Sequence, residues 1–250
     1  MTFIQPRRFS GTRDYLPADM IPREDMINAL RCVFAQFGYD PLETPAIEYL
    51  DVLCGKYGPD AEKLIYALDY KRGTTDEAGL RYDLTVPLAR LAAMSASEIE
   101  LPFRRYQIQT VWRAERAQVR QGRYREFYQC DVDCIGVSSL SADAEIIAVV
   151  VSALNALGLS DATVLLNHRR LLRGMTRILG LPLERERDLL RSIDKFSKIG
   201  ADGVQKELEA QDFSSAQATD AIGLFVGASQ SPDPMAHILA KAGNDEDICT

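Results

Sequence analysis

The sequence predicts an α+β fold, and three observations predict it. Two consecutive segments, Tyr106–Glu115 and Arg123–Ile135, alternate side-chain character with a period of two, as β-strands do. The segments before and after them, Ile21–Phe37 and Ser141–Ala156, place apolar residues three and four apart, as helices do. Beyond Asn167 no strand signal recurs and every apolar pattern is helical.

Taken in order, the first helix carries Ile27, Leu30, Val33, Phe34 and Phe37 on one side, and Gly38 stops it. Pro45 follows in an extended segment, and Arg72–Gly79 predicts a turn between short strands. Leu80–Leu84 reads as a short strand, with Thr85 as N-cap and Pro87 in the first turn of the next helix, so Asp83 stands beside a helix N-terminus. In the first long strand Tyr106, Ile108 and Trp112 suit a core, while Gln107, Gln109, Arg113 and Glu115 share the other face. In the second, Tyr128, Cys130, Val132 and Cys134 suit a core, and Phe127, Gln129, Asp131 and Asp133 face the other way. A ring, an amide and two carboxylates in one row are placed for a ligand. Between the strands Arg116–Gly122 is too long for a two-residue turn and predicts a mobile basic loop closing an antiparallel hairpin. Ser141 is expected to cap the next helix, with Asp143 and Glu145 in its first turn and Gly158 at its end. Asp161–Leu166 predicts a short apolar strand. Leu171, Leu172, Met175, Ile178 and Leu179 then mark a helical face, Leu189, Leu190 and Ile193 another, and Gly200–Leu208 and Ala216–Val226 two more.

Composition narrows the function. A chain of 250 residues with 46% hydrophobic content can bury one large domain, or a domain and a lobe. No apolar run reaches membrane-spanning length, and the residues from Met1 to Arg8 form neither a signal nor a transit sequence, so a cytoplasmic protein is expected. The five cysteines, at 32, 54, 130, 134 and 249, contain no C-x-x-C pair and predict buried thiols. His168 and His237 are too isolated for a metal site or a catalytic pair, so no protein-held metal is expected. The net charge of -7 disfavours indiscriminate nucleic-acid binding. Yet from Arg104 to Arg125 there are seven arginines against one acid, Glu115, a local reversal of sign that points to phosphate.

Phe103–Glu115 with Gly122–Asp133 resembles motif 2 of class II aminoacyl-tRNA synthetases, and specifically of the histidyl-tRNA synthetase family. Gly11–Pro17, Phe37–Glu48 (similar to motif 1) and Leu80–Arg90 resemble the same family in the same order. The resemblance implies a class II synthetase-type antiparallel sheet flanked by helices over 1-166, followed by an all-helical insertion lobe over 167-250 that carries Leu166–Gly174 and Ser192–Phe196. It implies activation of histidine by ATP to histidyl-adenylate and transfer to tRNA(His), with Mg2+ accompanying the triphosphate. Arg113 would stabilise the α-phosphate, Phe127 stack on adenine, Glu115 help hold the base and Arg123 meet the outer phosphates. Gln129 and Asp133 match positions that contact the histidine side, while Asp83, with Thr85, matches the acid that binds the α-ammonium; a capping role is the plainer alternative for Asp83. An acid opposite the imidazole accepts a ring N–H that isosteric amino acids lack. A homodimer is implied through motif 1. The family's glycine-rich motif 3 and anticodon-binding domain have no counterpart in the sequence, so the chain is expected to be the N-terminal portion of such an enzyme. The alternative is a non-catalytic, histidine-sensing paralogue resembling the regulatory subunit of ATP phosphoribosyltransferase, a family that tends to lose the nucleotide-holding residues of motif 2.

Overall fold

The structure, a computed structural model, describes residues 4–55, 63–69 and 77–242. The chain forms two compact units, Met1–Thr163 and Val164–Thr250.

In the first unit the opening helix spans Pro17–Gln36, with Pro17 and Asp19 in its first turn, and buries Ile27, Val33 and Phe34. The backbone leaves the helix at Gly38, whose φ is +74°. Three strands form one sheet in the order β1 (Asp40–Pro41), β5 (Phe103–Trp112) and β6 (Glu126–Ile135). The first runs parallel to β5, whereas β5 and β6 pair antiparallel over their whole length, from Phe103 opposite Ile135 to Trp112 opposite Glu126. A second, antiparallel sheet has the order β2 (Ile47–Tyr49), β4 (Ala78–Leu80) and β3 (Tyr66–Leu68). Two backbone hydrogen bonds join the strand ends of the two sheets, Trp112 N to Arg81 O (3.0 Å) and Ala114 N to Leu64 O (2.8 Å), while Arg81 N to Ala46 O (2.9 Å) continues the β2–β4 ladder.

The opening helix and a second helix, Leu140–Ala156, cover one face of the β5–β6 hairpin. Val33, Phe34, Tyr39, Tyr106 and Val149 make that core, with Ile108, Val132 and Cys134 packed against it. Arg104 adds an ion pair to Glu145 at 2.9 Å, and Tyr39 donates its hydroxyl to the same carboxylate at 2.8 Å. These contacts hold the Glu145 carboxyl below its usual range, the hydrogen bond from Arg104 contributing most.

Several local expectations are corrected here. The strand Leu80–Leu84 ends at Leu80, because Arg81 turns its backbone to bridge the sheets. The helix Thr85–Met94 has Leu84 as N-cap, and the capping acceptor is Asp83 Oδ1, which takes the Val86 N–H at 3.0 Å; the Thr85 hydroxyl does not cap. Ser139, rather than Ser141, caps Leu140–Ala156, accepting from Ser141 N. Asp161–Leu166 pairs with no strand, and Leu165 and Leu166 are exposed. Tyr128 and Cys130 are exposed as well, because the opening helix faces them across an open cavity and not in the close packing found at Val132 and Cys134. The hairpin loop contains a single helical turn, Val119–Gln121, closed by Gly122 with φ +74° and by paired bonds between Gln118 and Arg123. The predicted turn from Arg72 lies largely outside the described residues, as does Cys249.

The second unit is helical throughout its described residues: Arg169–Ile178, Glu186–Ile193, Phe196–Glu209, Ser215–Gln230 and Pro234–Ala242. Leu181, Leu189, Val204, Leu208, Phe213, Ala218 and Ala221 form one core cluster, and Met175, Leu224, Ala228 and Ile238 another. Gly200, with φ +68°, breaks the third helix where the sequence pattern begins anew. The last helix was not expected, although Pro234 at its start and Asp233, whose Oδ1 accepts from Ala236 N at 2.9 Å, are ordinary start signals.

Candidate active site

The register of β5 and β6 builds the site. Opposed residues in an antiparallel pair share a face, so Arg105 and Asp133, Gln107 and Asp131, Gln109 and Gln129, and Val111 and Phe127 lie side by side in one row. The two polar faces inferred from alternation are therefore one surface. It is half-buried at Phe127, Gln129, Asp131 and Asp133, and fully buried at Arg105 and Gln107.

At one end of the row the Arg113 guanidinium stands 5.1 Å from the centre of the Phe127 ring and donates from Nε to the Tyr82 carbonyl at 3.1 Å. That bond fixes one edge of the fork beside the start of the Thr85–Met94 helix, where Asp83 is buried. In the middle, Gln129 donates from Nε2 to Asp131 Oδ2 at 3.1 Å, while Gln129 Oε1 is buried with no hydrogen-bond partner among the described residues. A carboxylate can only accept from the amide NH2, so this pairing sets which way Gln129 points. At the far end Arg105 Nη2 lies 2.5 Å from Asp133 Oδ2.

A buried polar chain backs the row. Arg105 Nη1 donates to Gln107 Oε1 at 3.2 Å, and Gln107 Nε2 donates to Thr44 Oγ1 at 2.7 Å and also to Gln109 Oε1. Arg81, only 3% exposed, donates from Nη1 to Thr44 O (2.6 Å) and Gln109 Oε1 (3.0 Å) and from Nε to Thr110 O (2.9 Å). Burial, chiefly, raises the Asp131 pKa, with the Asp133 and Asp83 carboxylates adding to it against Gln129 and Arg105. Two further carboxylates thus act on Asp131 across the site, which is a setting for a cationic or N–H-rich ligand.

The structure brings Arg113, Phe127, Gln129 and Asp133 together as expected and places Asp83 and Thr85 at the adjoining helix start. Glu115 and Arg123 lie apart, exposed on the hairpin; the Glu115 carbonyl accepts from Arg125 Nε at 3.1 Å, and Arg123 pairs through its backbone with Gln118. The arginine run also divides by role: Arg104 binds Glu145, Arg105 is buried, and Arg125 ties the hairpin to the Ser10 carbonyl at 3.2 Å. Arg105, Arg81 and Thr44 were missed. The odd parity that Arg105 shares with Gln107 and Gln109 was the available signal.

On the opposite face of β6 a cavity of about 600 Å3 is lined by Arg13, Tyr15, Arg23, Met26, Ile108 and Tyr128, among others. Arg13 stacks between Tyr15 and Tyr124 (4.4 and 4.3 Å), and Arg23 between Tyr15 and Tyr128 (both 4.2 Å). Its arginines are already occupied by rings, and none of the three clustered acids faces it, so the polar row is the stronger candidate.

An α+β unit whose β5–β6 hairpin holds this row has the fold of class II aminoacyl-tRNA synthetases. A crystal structure of histidyl-tRNA synthetase from Nostoc sp. PCC 7120 superposes with a TM-score of 0.82 at 26% identity, covering 99% of this chain and 55% of that one. A Bacillus halodurans protein described as an ATP phosphoribosyltransferase regulatory subunit/histidyl-tRNA synthetase shares the fold, with a TM-score of 0.72 at 24% identity over 99% of this chain and 65% of that one. The sequence profile of histidyl-tRNA synthetases matches residues 11–248, and the chain belongs to that family. Relatives named histidine-tRNA ligase are 43% identical over 228 residues in Gloeobacter violaceus (83% of this chain, 48% of that protein) and 42% identical over 219 residues in Rhodopirellula baltica (88% and 48%). The chain spans about half the length of the curated relatives it matches.

Proposed function

We propose that this chain carries the ATP- and histidine-binding motifs of a histidine-tRNA ligase, which activates histidine with ATP and passes it to tRNA(His). The observation that carries the reading is the single row from Arg113 and Phe127 to Gln129 and Asp133. In the first step a histidine carboxylate oxygen bonds to the α-phosphorus and the bond to the bridging oxygen breaks, so pyrophosphate leaves with the electron pair. Negative charge gathers on the α-phosphate oxygens, and the free edge of the Arg113 fork stabilises it more than it stabilises the ground state. Phe127 offers its ring to adenine, with Glu115 beside the base, and the exposed Arg123 suits the outer phosphates. Gln129 Oε1 and the Asp133 carboxylate accept N–H groups from the imidazole side, and Asp83, with Thr85, meets the α-ammonium while also capping its helix. In the second step the terminal ribose hydroxyl of the tRNA attacks the activated carbonyl and AMP leaves.

Mg2+ accompanies such triphosphates. Among the described residues no trio of His, Cys, Asp or Glu is gathered to hold an ion, and the phosphate oxygens of the triphosphate would carry it. The resemblance supports catalytic motifs in the first unit, an insertion lobe in the second, a cytoplasmic homodimer and contact with tRNA. Ile47 and Tyr49, exposed on the edge strand β2, suit a dimer contact near motif 1. No described helix is long and apolar enough to cross a membrane.

The test is histidine-dependent exchange of pyrophosphate into ATP, with histidine binding measured alongside. Exchange that falls about a hundredfold or more in Arg113→Ala is the expected result. Exchange indifferent to that change overturns the role of Arg113. Histidine binding with no exchange in the unmodified chain favours the sensor reading over the enzyme.

A further inference from the structure

We infer that Arg105 is a positioning residue for the amino-acid end of this site: its buried guanidinium fixes the Asp133 carboxylate in the orientation that receives the ligand. The inference rests on the reading above, in which Asp133 meets substrate histidine.

The two residues are direct partners across the β5–β6 ladder, and their burial is unequal: the Arg105 side chain is 0% exposed and that of Asp133 34%. The pair is therefore offered from beneath, with the cation in the floor and the acid retaining an open side. The guanidinium itself is held from behind, since Nη1 donates to Gln107, and Gln107 is held in turn by the Thr44 hydroxyl. Arg105 cannot follow Asp133 if the acid turns; Asp133 must settle on Arg105.

Fold stability alone is a poor explanation for this arrangement. A buried ion pair is commonly no more stabilising than apolar residues of similar volume, because removing charges from water is costly. That cost is visible here: burial lowers the Arg105 pKa from its ordinary value against the raising pull of Asp133 and Asp131, and neither Arg105 Nε nor Nη2 has a well-aligned hydrogen-bond partner among the described residues, so Nη2 holds Asp133 by charge at short range. What the pair does provide is a carboxylate with one defined direction. The adjacent positions repeat the device, for Asp131 takes the Gln129 amide NH2 and leaves the buried Gln129 Oε1 unpartnered and ready to accept. Two neighbouring acceptors are thus each aimed by a side chain that need not touch the ligand.

The experiment is a double-mutant cycle on histidine affinity, measured by calorimetry on this chain, with Arg105→Met, Arg105→Lys, Asp133→Asn and the double variant Arg105→Met/Asp133→Asn. If Arg105 acts through Asp133, each single change weakens binding about tenfold, within the range for residues in direct contact, and the double variant is no weaker than Asp133→Asn. Arg105→Lys, which keeps the charge but loses the fork, recovers part of the affinity. General damage to the fold would instead multiply with the loss at Asp133. Independent losses, or an Arg105→Met chain that binds like the unmodified one while Asp133→Asn binds weakly, overturn this inference alone. Undiminished binding in Asp133→Asn, or no binding by the unmodified chain, overturns the reading beneath it. Should Arg105→Met not fold, Arg105→Lys carries the cycle: its loss must vanish in the Asp133→Asn background.

Discussion

Arg81→Met is the most direct test of how the site is held together. Arg81 is 3% exposed, and its guanidinium donates at close range to the backbone carbonyls of Thr44 and Thr110 and to Gln109 Oε1, with a longer, weaker bond to Pro45 O at 3.3 Å. Gln109 Oε1 has a second donor in Thr44 N at 3.2 Å, so it is not orphaned by the change. The Thr44 and Thr110 carbonyls lose their charged donor in a place water hardly reaches. At about 1.5 to 2 kcal/mol for each bond to a charged group, the expected loss is about 3 to 4 kcal/mol. With a urea slope near 2 kcal/mol/M, that moves the unfolding midpoint down by about 1.5 to 2 M. The assay is urea unfolding followed by tryptophan emission. The chain's one tryptophan, Trp112, lies at the end of β5 with its indole N–H on Glu126 Oε2 at 2.7 Å and Arg81 5.9 Å from its ring, so the signal reports this unit. Arg81→Lys, able to reach fewer acceptors, should fall between the two. A midpoint shift under about 0.5 M in Arg81→Met would refute the reasoning, since it would mean that the carbonyls find other partners at little cost.

Two further predictions follow from particular residues. Gly11 has φ +84°, its carbonyl accepts Arg125 N at 2.8 Å, and a Cβ there would meet Ala117 Cβ at 2.8 Å and Arg125 Cδ at 2.9 Å. Gly11→Ala should cost about 2 kcal/mol through strain and overlap and make the hairpin at 116–122 more open to proteolysis; unchanged cleavage there would count against the role given to this contact. For Asp131, the folded pKa is raised, so the folded state binds more protons than the unfolded one between the ordinary carboxylate value and that raised value. The stability contributed by Asp131 therefore increases as pH falls through the folded value. Unfolding of the unmodified chain compared with Asp131→Asn, from pH 7 down to about 4, should shift in favour of the aspartate on acidification. A difference that is flat, or that slopes the other way, removes burial as the dominant influence on this acid.

The hairpin and its polar face were legible in the sequence because a strand's period is an integer. Once Phe127, Gln129, Asp131 and Asp133 have one parity, no local adjustment can send them to different faces. Which residue opposes which was not legible, because register depends on how the chain turns between Gln118 and Arg123, and the four intervening residues, Val119 to Gly122, say little about that geometry. Without register, Arg105 was one more positive charge in a basic run; with it, Arg105 is the partner of Asp133. The same limit applied to Asp83 and Thr85, which are separated by a single residue at the helix start, where side-chain identity alone does not choose the capping group. Tyr128 and Cys130 were assigned to the core from parity alone, but parity gives a face and not its cover, and at that end an open cavity lies between the strand and the opening helix.

The length of the row gives the proposed function a geometric constraint of its own. From Phe127 to Asp133 is six residues, or about 20 Å at the rise of an extended strand, so the ring and the far acid cannot serve the same end of a small ligand. Arg113 stands against Phe127, and through Tyr82 it adjoins Asp83, which in turn lies close enough to Asp131 to raise its pKa. A ligand that used all of these groups would be an extended one, with a flat base at Phe127, an anionic centre at Arg113, an ammonium near Asp83 and an N–H-bearing ring toward Gln129 and Asp133. A histidyl-adenylate has those groups in that order. ATP alone lacks the last two, and a free amino acid lacks the first two. The sharpest consequence is a thermodynamic one: a non-hydrolysable histidyl-adenylate analogue should bind more tightly than either part, and truncating Phe127 should weaken the analogue while leaving histidine affinity nearly unchanged. Equal losses for both ligands would mean that the row is a single pocket, not two joined ones.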